Sequence, residues 1–215
     1  LPEALLAENP DEVHEGGANL RKQIENVRIH GVSPVVAINR FPEDHDADLA
    51  AIAEIASDNG ARCAITNHFS EGGAGARELA EVVAEATEES TSFSVLYPDE
   101  MDIKEKIRTV ATKVYGAENV EFSSVASKQI DSYTENGFGN LPVCIAKTHL
   151  SISSDASLKG APSGWTLPVR EVRASVGAGF VYPICGEMRT MPGLGKSPAA
   201  AGIDIDENGQ IVGLS

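Results

Sequence analysis

Aromatic residues are scarce in this sequence: 6 Phe, 4 Tyr and 1 Trp, or 5% of 215 residues. A core built from aliphatic side chains has few rings to spare, so single aromatics in loops stand out. Positive charge is also short. The 17 basic residues are outnumbered by 32 acidic ones, a formal net charge of −15. Such a surface repels nucleic-acid phosphates and anionic membranes, so neither is expected as a partner; a local basic cleft still permits a small anionic ligand. The three cysteines, Cys63, Cys144 and Cys185, are too few and too dispersed for a disulfide framework or a Cys-x-x-Cys zinc ribbon. Each stands in an apolar run and reads as a small buried strand residue in a reduced, cytoplasmic setting. No apolar run approaches the ~20 residues of a membrane span, and no secretory leader pattern is visible. The chain opens on Leu1 rather than Met, as expected of a piece excised from a longer protein.

What is there is an ordinary globular balance, 42% hydrophobic and 23% charged, on a chain long enough for one large or two small domains. Up to residue 138, short apolar runs alternate with helical patterns. Residues 16–29 carry Leu20, Ile24 and Val27 at helical spacing. The β-branched run over 34–39 suits a strand buried on both faces, as in a parallel sheet. Asp46 caps a helix with Leu49, Ile52, Ala53 and Ala56 on one face, ending at Asn59-Gly60. A strand over 61–66 and a helix over 74–86 follow. Then come a strand over 94–97, a helix over 99–115, a short strand over 120–122 and a helix over 124–135. Strand–helix alternation of this kind predicts an α/β fold: an open, mostly parallel sheet with flanking helices. After 138 the helical periodicity disappears. Residues 143–147, 166–174 and 179–184 read as strands between Gly- and Pro-rich loops, and 203–212 as a hairpin around Asn208-Gly209. The expected division is an α/β domain over 1–138 and a small, mixed β-rich domain over 139–215.

Four segments imitate chemistry. Gly195-Lys196-Ser197 resembles the end of a P-loop, but Thr190 stands where the first Gly belongs and no strand-to-helix switch surrounds it. Asp204, Asp206 and Asn208 imitate half of an EF-hand loop, but Ser215 replaces the bidentate Glu. Asp44-His45-Asp46 and Asp48 form a helix start, where carboxylates complement the dipole, rather than a metal site. On a strand over 166–174, alternation puts Glu171 and Arg173 on one face as an ion pair, leaving Arg170 free to meet an anion.

Two signals have more functional weight. One strand runs Val36-Ala37-Ile38-Asn39 into Arg40-Phe41-Pro42, and the next runs Ala64-Ile65-Thr66 into Asn67-His68-Phe69. Each sets a Phe just past the carboxyl end of a strand, the rim where open α/β sheets bind ligands. If the strands are neighbours, Phe41 and Phe69 face each other across a slot for a flat heteroaromatic ring; otherwise each packs under its own loop. The second signal, Gly72-Gly73-Ala74-Gly75-Ala76, opens a helix. Its small residues either let backbone amides meet a phosphate or carboxylate or simply pack a tight loop. Glu78 in place of a third Gly argues against a dinucleotide fingerprint.

Taken in order, a series of segments resembles the formate–tetrahydrofolate ligase (10-formyltetrahydrofolate synthetase) family. It begins with Asn19-Leu20 and Ile24-Glu25-Asn26-Val27, then Val35 through Pro42, then Glu71-Gly72-Gly73 with Gly75-Ala76, then Tyr115-Gly116-Ala117. It continues with Gly139 through Thr148, Val169-Arg170-Glu171-Val172-Arg173, Gly177-Ala178-Gly179-Phe180 and Thr190-Met191-Pro192-Gly193-Leu194. The resemblance spans nearly the whole chain and implies a C-terminal part of the enzyme, with the family's phosphate-binding loop upstream of it. It implies a soluble, cytoplasmic, homotetrameric parent that uses ATP with Mg²⁺, formate and tetrahydrofolate, often with an activating monovalent cation. In that reaction ATP phosphorylates formate and N10 of tetrahydrofolate takes the formyl group. The resemblance sets the pterin between Phe41 and Phe69, with Pro42 and Ile65 beside them. The second ring is often Trp in relatives, so Phe69 implies weaker stacking. Without the phosphate loop, the 215 residues alone are expected to be inactive as a ligase. The alternative is a stand-alone, non-catalytic α/β module for folate or another small ligand.

Overall fold

The computed structural model describes residues 7–186, 199–207 and 209–213. The segments Thr190 to Leu194 and Gly195-Lys196-Ser197, and the residues Asn208 and Ser215, lie outside the described residues. The fold is α/β, with helices around a small parallel sheet and a separate mixed sheet.

The described elements begin with α1 (Pro10–Gly16). Asn9 caps it by accepting the Glu12 N–H at 3.2 Å, and Pro10 opens it, a position where the missing amide costs nothing. Gly17 then joins α1 to α2 (Ala18–Arg28). A Cβ on Gly17 would come within 2.7 Å of Ile55 Cδ1, so Gly lets this joint lie against the next helix without displacing that side chain. Strand β1 (Val35–Asn39), helix α3 (Asp46–Asp58) and strand β2 (Arg62–Thr66) complete a βαβ unit. The strands are parallel and paired from Val35↔Arg62 to Asn39↔Thr66. Ile24 of α2, Ala56 of α3 and Ala61 are buried, with Leu20, Val36 and Cys63 packed on them. Helix α4 (His68–Glu71), a 3₁₀ turn (Gly72–Ala76) and α5 (Arg77–Thr87) follow.

Residues 94–97 do not form the expected strand. The Ser92 and Ser94 amides bond to the carbonyls of Gly31 and His30, a turn rather than a strand edge, and a turn offers no further ladder. Phe93 and Val95 are left exposed. The helix expected over 99–115 starts later, as α6 (Ile103–Thr109), because Asp102 caps it by accepting the Lys104 N–H at 2.8 Å. It widens into a π-helical turn over Val110–Val114.

Strand β3 (Asn119–Phe122), helix α7 (Ser124–Glu135), β4 (Thr166–Ser175) and β5 (Phe180–Cys185) build the second sheet, in the order β3-β4-β5. β3 runs parallel to β4, and β4 antiparallel to β5. Residues 143–146 do not extend into a full strand, but lie along β5 through bridges at Val143↔Val181 and Ala146↔Ile184. One core joins Ile103, Ile107, Val120 and Ile130 to Leu167, Val169, Val172 and Val181. Sheet and core therefore both run across residue 138. Lys106, fully buried in α6, sends its ammonium to the carbonyls of Asp99 (2.6 Å), Gly139 (3.0 Å) and Leu141 (3.1 Å). It thereby ties the loops on either side of α6 and α7 together; burial pushes its pKa down, against the pull of Asp99, Glu100 and Asp102. The tail forms the hairpin of β6 (Asp204–Ile205) and β7 (Ile211–Val212).

Two further expectations need correction. Only Cys185 is a buried strand residue; Cys63 is half-buried and Cys144 exposed. Cys144 lies in the segment bridged to β5, where apolar neighbours in sequence do not guarantee cover. Arg170 is not free. It reaches Glu171 at 3.3 Å while Arg173 reaches the same carboxylate at 3.0 Å. The register shifts between Val169 and Glu171, and such a bulge breaks the strict alternation that would separate Arg170 from Glu171.

Candidate functional site at the carboxyl rim of the parallel strands

The site follows from the way β1 and β2 end. Asn39 faces Thr66, so the two strands stop level, and the Arg40 N–H continues the ladder to the Thr66 carbonyl at 3.1 Å. Beyond β1 the chain turns tightly: the Asp44 N–H donates to the Phe41 carbonyl at 3.1 Å, and Asp44 Oδ2 accepts the Phe41 N–H at 2.8 Å. Arg40 pairs with Asp46 of α3 at 2.7 Å. Beyond β2, α4 lifts Phe69 onto the same rim. Its base is fixed by Thr66, whose hydroxyl lies 3.0 Å from His68 Nδ1 and 3.3 Å from the Gly75 carbonyl, and by the Asn67 N–H on that carbonyl at 2.9 Å.

These turns bring Phe41 and Phe69 into contact, with ring centroids 5.1 Å apart and planes inclined at 55°. Both stay open to solvent, Phe41 by 41% and Phe69 by 63%. A touching, solvent-facing pair of apolar rings is a surface for another flat apolar group. The present spacing is that of a tilted pair in direct contact. A ring inserted between two faces needs about 7 Å between centroids, twice the ~3.5 Å contact distance of carbon atoms. A ligand therefore either parts the rings or lies across them.

The other candidates fall around this pair unequally. Pro42 is exposed in the turn beside Phe41, whereas Ile65 lies within β2, opposite Ile38 and half-buried. Gly75 is committed to loop packing: a Cβ there would lie 2.7 Å from the Asn67 backbone. Gly72 and Gly73 have open space where a side chain would be, and Gly72 has a φ of +60° that favours Gly. The acidic run at the start of α3 is consumed within the fold, by Phe41, Arg40 and the Asn9 N–H, which Asp48 accepts at 2.9 Å. Among the described residues no three of His, Cys, Asp and Glu cluster as metal ligands. The role of Asp44 escaped the sequence reading, because its bond runs back to an amide three residues earlier rather than forward as in an ordinary Asx turn.

A separate cavity of about 540 Å³ lies between α2 and residues 145–152, lined by Asn19, Gln23, Tyr115 and Lys147 among others. Lys147 sits 4.8 Å over the Tyr115 ring and donates to the carbonyls of Thr148 and Ser153 at 3.0 and 3.1 Å. Burial lowers its pKa. With its hydrogens taken by carbonyls, it shapes this loop rather than meeting a ligand.

The fold and the rim together define an α/β protein with an aromatic clasp at the carboxyl edge of adjacent parallel strands. The family model of formate–tetrahydrofolate ligase matches residues 2–215, and the chain belongs to that family. A formate–tetrahydrofolate ligase of Saccharopolyspora erythraea is 65% identical over 215 residues, covering 100% of this chain and 38% of the relative. Formate–tetrahydrofolate ligase 3 of Rubrobacter xylanophilus is 58% identical over 223 residues, covering 100% of this chain and 39% of its own length. That of Herpetosiphon aurantiacus is 54% identical over 215 residues, covering 100% and 38%. The chain thus spans about two-fifths of the length of these relatives.

Proposed function

We propose that this chain supplies the pterin-binding surface of an ATP-dependent ligase that joins formate to tetrahydrofolate, giving 10-formyltetrahydrofolate. The observation that carries the reading is the contact of Phe41 with Phe69 on the rim of two level parallel strands. The rings grip the pterin face to face or lie beneath it, excluding water from it. Pro42 extends the apolar wall on one side, and Ile65 stiffens the strand below. Gly72 and Gly73, unobstructed at the foot of the 3₁₀ turn, offer backbone to an anionic group of the ligand, while Gly75 serves the loop. ATP with Mg²⁺ and formate are handled by other parts of the family's polypeptide. No ligands for Mg²⁺ or for an activating monovalent cation are assigned to this chain. The complete protein is a cytoplasmic homotetramer on this reading.

Stabilising a transferring phosphoryl group takes clustered backbone amides, a Lys and Mg²⁺, and the buried Lys106 and half-buried Lys147 are already engaged by carbonyls. The 215 residues alone should therefore bind tetrahydrofolate without transferring formyl. Calorimetric titration with tetrahydrofolate, paired with an ATP- and formate-dependent assay for 10-formyltetrahydrofolate, tests both halves. Binding without turnover is expected. Turnover by the isolated chain, or an absence of binding, would refute the corresponding half.

A further inference from the structure

Independently of the pterin site, residues 147–153 fold around a cation that the protein itself supplies. The segment is neither helix nor strand, so its amides and carbonyls need other partners. The amides turn to neighbouring hydroxyls. Thr148 Oγ1 accepts the Leu150 N–H at 3.2 Å, Ser151 Oγ the Ser153 N–H at 3.0 Å, and Ser153 Oγ the Asp155 N–H at 3.1 Å. Such hydroxyl turns curl the chain and leave carbonyls on its inner side. Those of Thr148, Ser151 and Ser153 converge on Lys147 Nζ, the first and last at 3.0 and 3.1 Å. The Tyr115 ring closes the cage from another side, its centroid 4.8 Å from Nζ. Three carbonyl dipoles aimed at one point repel one another unless a positive charge sits there. Carbonyl oxygens and an aromatic face are also the partners that a large monovalent cation accepts in place of water. The distances disfavour divalent ions. Mg²⁺ demands oxygens at about 2.0–2.1 Å and Ca²⁺ at about 2.3–2.6 Å, commonly with carboxylates, and this set holds no carboxylate. Lys106 meets a similar set but is fully buried. Lys147 instead lines the open cavity of about 540 Å³ beside α2, so an ion from solution can reach its place.

We propose that the carbonyls of Thr148, Ser151 and Ser153, with the Tyr115 ring, form a monovalent-cation site of the K⁺ and NH₄⁺ class, filled in the native protein by the Lys147 ammonium. The side chain is a tethered ion, so the native chain takes up no free cation here. The loop it holds is the cavity wall that faces Asn19, Gln23 and Asn26 of α2, and a tethered ion keeps that wall folded whatever the salt. Once the ammonium is removed, K⁺ or NH₄⁺ occupies its position and restores the same loop.

The test places this chain in the full-length Saccharopolyspora erythraea ligase, in exchange for its matching 215 residues, with and without Lys147→Ala. Amide hydrogen exchange at Leu150, Ser153 and Asp155 is followed in KCl, NH₄Cl and tetramethylammonium chloride at equal ionic strength. In the variant these amides should exchange fast in tetramethylammonium, which is too large for the cage. K⁺ or NH₄⁺ at about 20 times its Kd lowers the population of the open loop about 21-fold, and exchange should slow by about that factor. In the unsubstituted protein the three salts should give rates that agree within about 2-fold. Crystals of the variant grown with RbCl should show an anomalous peak among the three carbonyls, where Nζ stood. Equal exchange of the variant in K⁺ and tetramethylammonium overturns the proposal. So does a variant that folds in none of the salts, because an ion equivalent to the ammonium must restore the loop. An equal response to K⁺ in the unsubstituted protein overturns it as well, since the ion would then act elsewhere.

Discussion

Replacing both rings of the aromatic pair should weaken tetrahydrofolate binding by more than the product of the single replacements. The reason is that the rings touch each other before any ligand arrives. A Phe side chain offers about 200 Å² of surface. Phe69 leaves 63% open and Phe41 41%. A flat ligand covering half of the open part hides about 60 Å² and about 40 Å² respectively, worth about 1.5 and about 1 kcal/mol at ~25 cal/mol per Å². Stacking adds about 1 kcal/mol per ring, and parting the present Phe–Phe contact costs about 1 kcal/mol once. Phe69→Ala loses its contact with the ligand but also abolishes the cost of parting, a net loss of about 1.5 kcal/mol or roughly 13-fold in Kd. Phe41→Ala loses about 1 kcal/mol net, roughly 5-fold. The double variant loses both ligand contacts and saves the parting cost only once, about 3.5 kcal/mol or roughly 400-fold, against roughly 70-fold from the product of the singles. Calorimetry is the suitable assay, because Trp165 is buried in the core that contains β4 and is a poor reporter of the rim. Circular dichroism of each variant checks that the fold persists. A double variant that merely multiplies the singles would show that the ligand does not separate the rings. Unchanged affinity in the double variant would end the pterin assignment.

Three further outcomes are expected. Asp44→Ala removes the acceptor of the Phe41 N–H, about 1 kcal/mol of order in the turn; tetrahydrofolate affinity should fall about 3- to 5-fold, with Tm lowered by less than about 4 °C. Lys106→Met keeps the length of a fully buried side chain but deserts three carbonyls. Urea unfolding should show a loss of about 2–4 kcal/mol, and a loss below about 1 kcal/mol would contradict the stitching role. Thiol titration of the native chain should modify exposed Cys144 first and Cys185 only on unfolding. Burial raises the Cys185 pKa from 9.0 to about 12, so between these values the unfolded state holds fewer protons than the folded one. The stability tied to this thiol is complete below 9.0 and lost as pH rises towards about 12. A Cys185→Ala variant should show a shallower decline across that window.

The sequence by itself determined the parts that rest on local chemistry. The apolar run of β1, the helices α3 and α7 and the closing hairpin were legible, because periodicity and turn residues act within a few positions, although Asp46 is the first residue of α3 and His45, not Asp46, stands at its cap. The positions of Phe41 and Phe69 past two strand ends could be read in the same way. Tertiary structure alone decided that β1 and β2 are neighbours ending level, and hence that the two rings meet at 5.1 Å, since strand order depends on packing between distant segments. It also decided that residues 94–97 meet a turn instead of a neighbouring strand, that β3 and β4 join across residue 138, and that a bulge turns Arg170 towards Glu171. In each case an alternating or apolar stretch states what a strand prefers, while its partner, register and cover are set by residues far away in the chain.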